Sequence, residues 1–152
     1  MSILSIENLS KRFSDNTVID GLTFCVPEGV IYGFLGQNGA GKTTTMKMVL
    51  GLLKPDGGTI CVCGEPVRYG QAKTNRDIGF LPDVPEFYGY MKPMEYLALC
   101  AEVTGLDRAR AKAKSTELLG LVGLEKANKR IGGFSRGMKQ RLGIAQALLN
   151  EP

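Results

Sequence analysis

Short apolar stretches alternate with tight turns through the first third of the chain. Ile3 to Leu9, Val18 to Ile19 and Leu22 to Val26 have the lengths and residue types of strands, with a turn at Asp15-Asn16 and a stop at Pro27-Glu28-Gly29. Short strands joined by two-residue turns predict antiparallel pairing. Val30-Ile31-Tyr32-Gly33-Phe34-Leu35 is an apolar run with the length of a buried strand. A helix is expected from Lys42 to about Leu52, after which Lys54-Pro55-Asp56-Gly57-Gly58 stops it and turns into a strand from Thr59 to Cys63; Ile78 to Leu81, ended by Pro82, is a further strand. From Pro93 the period changes to that of helices, through Met94 to Cys100 and again from Asp107 to Leu121, with Leu118, Leu121 and Val122 on one face. These two form a helical hairpin inserted after an α/β segment. A last helix begins near Ser135, with Met138, Leu142, Ala145 and Leu149 at helical spacing.

At 152 residues the chain has the size of one domain and can bury roughly two thirds of its unfolded surface, so no disulfide framework is needed. Cys25, Cys61, Cys63 and Cys100 have no CxxC spacing and no histidine to join them, since the chain contains none. Cys61 and Cys63 alternate with Ile60 and Val62 and are expected to be small apolar residues of a reducing compartment. The net charge of +4 is spread along the chain, and its densest stretch, Arg108, Arg110, Lys112 and Lys114, alternates with alanines as a solvated helix face does. No nucleic-acid site is expected, because no stacking aromatics accompany those charges. No apolar run approaches the roughly 18 to 20 residues that span a bilayer, and no leader pattern opens the chain.

The apolar run at 30–35 leads directly into Gly36-Gln37-Asn38-Gly39-Ala40-Gly41-Lys42-Thr43, which is the P-loop pattern GxxxxGK[ST] in a strand-to-helix setting. Glycines let backbone N–H groups curl around phosphate oxygens, Lys42 neutralises the β- and γ-phosphates, and the Thr43 hydroxyl is placed to ligate magnesium. The helix that follows presents its positive end to the same anion.

A second constellation, Gly132-Gly133-Phe134-Ser135-Arg136-Gly137-Met138-Lys139-Gln140-Arg141, stands at the start of the last helix. Together with the P-loop and the intervening helical insert, it resembles the nucleotide-binding domain of bacterial exporter-like ABC transporters. Phe134-Ser135-Arg136-Gly137-Met138 is similar to their LSGGQ signature. The resemblance implies an α/β P-loop NTPase core with an antiparallel β subdomain and a helical insert, incomplete at the C-terminus. Its parts would be 1–92, the β subdomain and P-loop core; 93–134, the helical subdomain; and 135–152, the signature helix. It further implies binding of ATP and magnesium by Gly36 to Thr44, with Thr44 helping to hold the α-phosphate and Phe13 stacking on adenine. Ser135, Arg136, Gly137 and Met138 would contact the nucleotide of a second such domain in a head-to-tail dimer. Asp83, in Gly79-Phe80-Leu81-Pro82-Asp83, occupies the family's glutamine-loop position; its carboxylate could coordinate magnesium but, ionised, cannot donate a hydrogen bond.

In the family, a strand ending in Asp-Glu and later a histidine follow the signature helix, and the sequence stops at Pro152 before either. The expected function is the ATP-binding subunit of a transporter, peripheral on the cytoplasmic face of the membrane and partnered by transmembrane subunits. The 152 residues should bind ATP without turning it over. Two alternatives remain: a soluble ABC-type ATPase acting on ribosomes or nucleic acid, and a P-loop small-molecule kinase, which the signature and the antiparallel first third disfavour.

Overall fold

A computed structural model describes residues 2–152, which pack as two units, one running to Asp77 and the other Ile78–Pro152. The first is built on a four-stranded sheet. Strands β1 (Ser2–Phe13), β2 (Asn16–Pro27), β3 (Gly57–Val62) and β4 (Glu65–Pro66) lie in the order β2-β1-β3-β4, every pair antiparallel. The two segments expected at 18–19 and 22–26 are one strand. Its hairpin turn is Ser14-Asp15, one residue before the expected position, because Ser14 takes the left-handed conformation (φ 51°) and lets Phe13 pair with Asn16.

Alternation is broken once in β1, with a visible cause. Ile6 and Leu9, three apart, are both fully buried, because Asn8 adopts φ 49° and adds a residue opposite Gly58. The bulge returns Leu9 to the buried side, where it packs with Ile6, Ile19, Ile60 and Met48 of helix α1 (Lys42–Val49). In β3 the same alternation buries Ile60 and Val62, while Cys61 is only half-buried and Cys63, past the strand end, is exposed. The buried apolar positions here are thus the aliphatic residues, not the cysteines.

Three expectations are corrected. Helix α1 ends at Val49, not near Leu52, because Gly51 at φ 68° forms a C-terminal cap in which Leu52 N donates to Lys47 O (2.9 Å) and Gly51 N to Met48 O (3.0 Å). The run 30–35 pairs with no strand among the described residues, and its Ile31 and Leu35 side chains lie in solvent. A strand exists only with a hydrogen-bonded neighbour, and what holds this run is side-chain stacking of Tyr32 and Phe34 on Phe24, both at 5.4 Å between ring centres. Ile78 to Leu81 likewise lacks a ladder partner and is not a strand.

Asp56 ties the turn before β3 to β1. Its carboxylate accepts from Arg12 N (2.8 Å) and from Lys11 Nζ (3.0 Å), while its own N–H donates to Ser10 O. The Arg12 N–H foremost, then Lys11, hold this carboxyl below the usual aspartate range. A depressed folded pKa contributes stability above the unfolded value of about 3.9, and that stability is lost as pH falls through the folded pKa. Acid unfolding of Asp56→Asn should therefore be shallower than that of the parent, with the two converging at the acid end; superimposable acid limbs by circular dichroism would contradict the bonding.

The second unit holds helices α2 (Pro93–Val103), α3 (Arg108–Leu121) and α4 (Arg136–Ala147). Each start has a local reason. Pro93 sits in the first turn of α2, and Glu95 accepts from Lys92 N (2.9 Å). Asp107 accepts from Ala109 N and Arg110 N, both at 3.0 Å. The helices bury Leu97, Ala101, Ala111, Leu118, Leu142 and Ala145 in a common core, which also takes in Leu149. On α3 the inward residue beside Leu118 is Leu119, whereas Leu121 points to solvent, a rotation of the expected face. Arg108, Arg110 and Lys112 are exposed as expected, and Lys114 bridges Glu117 (3.3 Å) and Glu151 (2.7 Å).

The segment 78–92, grouped in sequence with the P-loop core, packs with the helices. Gly89 O and Met91 O accept from Gly132 N and Ile131 N, each at 2.9 Å, and Phe87 and Met91 lie against the helical core. No helix is long and apolar enough to cross a membrane among the described residues.

Candidate nucleotide-binding site

The P-loop is a chain reversal made possible by two glycines. Gly39 and Gly41 both take φ 86°, and Ala40 N donates to Gln37 O (3.1 Å). At Gly41 a side chain would be both strained by the positive φ and crowded, with its Cβ 3.0 Å from Ile19 Cγ1 and 3.1 Å from Val18 O of β2. The loop is thereby seated on the sheet, and α1 leaves it at a set point.

Gly41 is also the N-cap of α1, and it has no side chain to satisfy the first N–H groups; nor is there an acidic residue in the first turn. The orphan N–H groups of Lys42, Thr43 and Thr44 therefore remain for an external acceptor. Thr45, buried, bonds back to Gly41 O through its hydroxyl (3.0 Å) and backbone (2.8 Å), stiffening this turn from inside. Lys42 Nζ donates to Gly36 O (2.5 Å) and Gln37 O (2.7 Å), so its ammonium lies over the loop. Phosphate oxygens, carrying full charge, are stronger acceptors than these carbonyls. Thr43 and the stretch Gly36 to Ala40 are exposed, and Thr44 is half-buried.

Among the described residues no group of three His, Cys, Asp or Glu could hold a metal. A lone threonine hydroxyl beside a phosphate cradle suits magnesium, which keeps most of its ligands as water and phosphate oxygens.

Phe13 ends β1, with its ring about half exposed (47%) and Lys11 Nζ 5.3 Å from the ring centre. Lys11 was not singled out by its own residue type; the signal available was its place two residues before Phe13 on the same strand.

In the second unit, Ser135 is the N-cap of α4, accepting from Met138 N (3.2 Å). Its hydroxyl is thus engaged in capping, with the N–H groups of Arg136 and Gly137 in the orphan positions of the helix start and both residues exposed. Met138 is half-buried against the helical core. Arg141 fastens the same helix to the end of α3, donating to Val122 O (3.1 Å) and Gly123 O (3.2 Å). Asp83 is exposed in a bend of the 78–92 segment. The P-loop residues are brought together in one turn in the first unit, and Ser135 to Met138 in one helix start in the second.

A glycine-lined anion cradle opening a helix, carried on an antiparallel sheet and accompanied by a capped signature-like helix, defines a P-loop nucleotide-binding protein. The family profile described as ABC transporter matches residues 19–152. The chain belongs to the ABC transporter family. It is 46% identical over 151 residues to the uncharacterized ABC transporter ATP-binding protein YxlF of Bacillus subtilis, covering 99% of this chain and 50% of that one. It is 43% identical over 152 residues to the bacitracin transport ATP-binding protein BcrA of Bacillus licheniformis, with 99% and 49% covered. The chain spans about half the length of the curated relatives it matches. Its fold is similar to that of the solved ATP binding subunit of an ABC transporter (TM-score 0.86, 33% identity, 99% of this chain and 63% of that one). It is also similar to cbiO1 from Clostridium perfringens, part of the ABC transporter complex cbiONQ (TM-score 0.84, 27% identity, 99% and 62% covered).

Proposed function

We propose that the chain binds ATP with magnesium at Gly36 to Thr44 and serves, in the whole protein, the ATP hydrolysis that drives export through transmembrane subunits at the cytoplasmic face of a membrane. The observation that carries the reading is the uncapped start of α1: no side chain bonds its first N–H groups, and the Lys42 ammonium lies over the glycine-rich loop that leads into them. Lys42 would neutralise the β- and γ-phosphates, Thr43 would ligate magnesium, and Thr44 would take the α-phosphate. Bound magnesium would supply charge neutralisation of the phosphates. Support for export comes from relatives such as the Nod factor export ATP-binding protein I of Burkholderia orbicola, 42% identical over 155 residues.

Ser135, Arg136, Gly137 and Met138 would meet the nucleotide of a second such domain, head to tail, with Asp83 at the loop that meets magnesium and the membrane partner. Division of the chain into 1–92, 93–134 and 135–152 belongs to the same reading. Equilibrium titration with magnesium-ATP tests the site, and saturable binding that requires magnesium is the expected result. No binding at millimolar nucleotide would end the proposal.

Two predictions belong here. Residues 1–152 should bind ATP without turnover, since neither the P-loop nor α1 carries a carboxylate or histidine to act as general base. Phosphate release that survives rigorous purification and vanishes in Lys42→Ala would contradict this. Phe13→Ala should weaken ATP and GTP alike, by about fivefold for a stacking contribution of about 1 kcal/mol, with the melting midpoint nearly unchanged. A large fall in that midpoint instead would assign Phe13 to the core.

A further inference from the structure

Lys11 is the one buried charged side chain among the described residues, at 9% exposure. An ammonium taken out of water is costly unless it is paired, so its partners indicate what it is there for. It has two: the Asp56 carboxylate at 3.0 Å and the ring of Phe13 at 5.3 Å. Asp56 is itself fixed to β1 by its bonds with Arg12 N and Ser10 O. The chain of restraint runs from the β1 backbone to Asp56, from Asp56 to the ammonium, and from the ammonium to one face of a ring that is otherwise half in solvent.

We propose that Lys11, anchored by Asp56, is a positioning residue for the nucleotide base: its ammonium occupies one face of the Phe13 ring and holds the ring so that the opposite face is presented to adenine. The proposal rests on the reading of Phe13 as the base-stacking residue. Attraction of a cation to a ring face is strongest when the cation is desolvated, as Lys11 is. A ring ordered before the base arrives spares binding the entropy of ordering it. At the end of β1, beside the two-residue turn, the sheet alone supplies few contacts that could do this.

Titration with magnesium-ATP and with magnesium-tripolyphosphate, which has the phosphates and lacks the base, separates this role from a structural one. Lys11→Gln removes the charge and, one atom shorter, keeps an N–H donor for Asp56. It should weaken ATP by about threefold to tenfold and leave tripolyphosphate unchanged. Lys11→Arg should bind ATP nearly as the parent does. Adding Lys11→Gln to Phe13→Ala should bring no further loss, because both act through one ring. If Phe13→Ala weakens ATP and Lys11→Gln does not, the positioning role is wrong and the stacking role stands. Equal losses for ATP and tripolyphosphate in Lys11→Gln would place its charge on the phosphates and overturn the proposal. If Phe13→Ala leaves ATP affinity at the parent value, the stacking role fails and the proposal with it. Should Lys11→Gln not fold, Asp56→Asn, a half-exposed position, is read by the same comparison: selective loss of ATP supports the anchor, and no selective loss overturns it.

Discussion

Replacing Lys42 with alanine is expected to weaken magnesium-ATP binding ten- to hundredfold, the effect of losing a charge-assisted contact of about 1.5 to 3 kcal/mol. Tripolyphosphate should weaken in parallel, because this lysine acts on phosphates and not on the base. Stability should change little. In the nucleotide-free chain the ammonium bonds only to Gly36 O and Gln37 O, two carbonyls in an exposed loop that water can satisfy in its place. Lys47→Ala, exposed in the last turn of the same helix, is the control and should bind as the parent does. Calorimetric titration decides the matter: a Lys42→Ala dissociation constant equal to the parent's would remove the phosphate site from this loop.

The second large effect concerns Gly58, where β3 crosses the bulge of β1. Gly58 takes φ 84°, and a Cβ there would meet Asn8 O at 2.4 Å and Glu7 O at 2.5 Å, both backbone atoms that no rotamer change can move. Gly58→Ala combines left-handed strain with displacement of a central strand, an expected loss of about 2 to 4 kcal/mol and a fall in melting midpoint on the order of 10 °C. Gly64→Ala separates the two contributions. That residue has φ 80° but nothing within 4 Å of its Cβ position, so only the conformational cost, about 1 kcal/mol, should appear. Equal destabilisation by the two substitutions, in thermal melts followed by circular dichroism, would mean that the bulge register between Asn8 and Gly58 is wrong.

The local chemistry of the chain was legible in its residues. Glycine, lysine and threonine at the P-loop spacing specify left-handed turns, a cation and a hydroxyl within a few residues of one another, and the structure has the left-handed turns at Gly39 and Gly41 with the Lys42 ammonium over the loop. Asp107 and Ser135 were legible as helix starts for the same reason, since a cap needs only the next three N–H groups. Gly51 is as local a signal as Lys54-Pro55 and lies before it, so α1 stops earlier than expected. The bulge at Asn8 could not be seen, because it exists only as a mismatch of register between β1 and β3.

By itself, then, the sequence determined the P-loop turn, the helix that opens from it and the starts of the later helices, all of them arrangements whose interacting groups lie within a turn or two along the chain. Tertiary structure alone decided the rest. Whether the apolar run at 30–35 counts as a strand depends on a neighbour to receive its hydrogen bonds, and here Phe24 stacking replaces one. Which face of α3 turns inward, Leu119 and not Leu121, depends on the helices it meets. That Lys11 should lie buried between Asp56 and Phe13 depends on the turn at 54–58 folding back onto β1. Each of these pairs groups far apart in sequence, and their free energy appears only when folding has closed the loop between them.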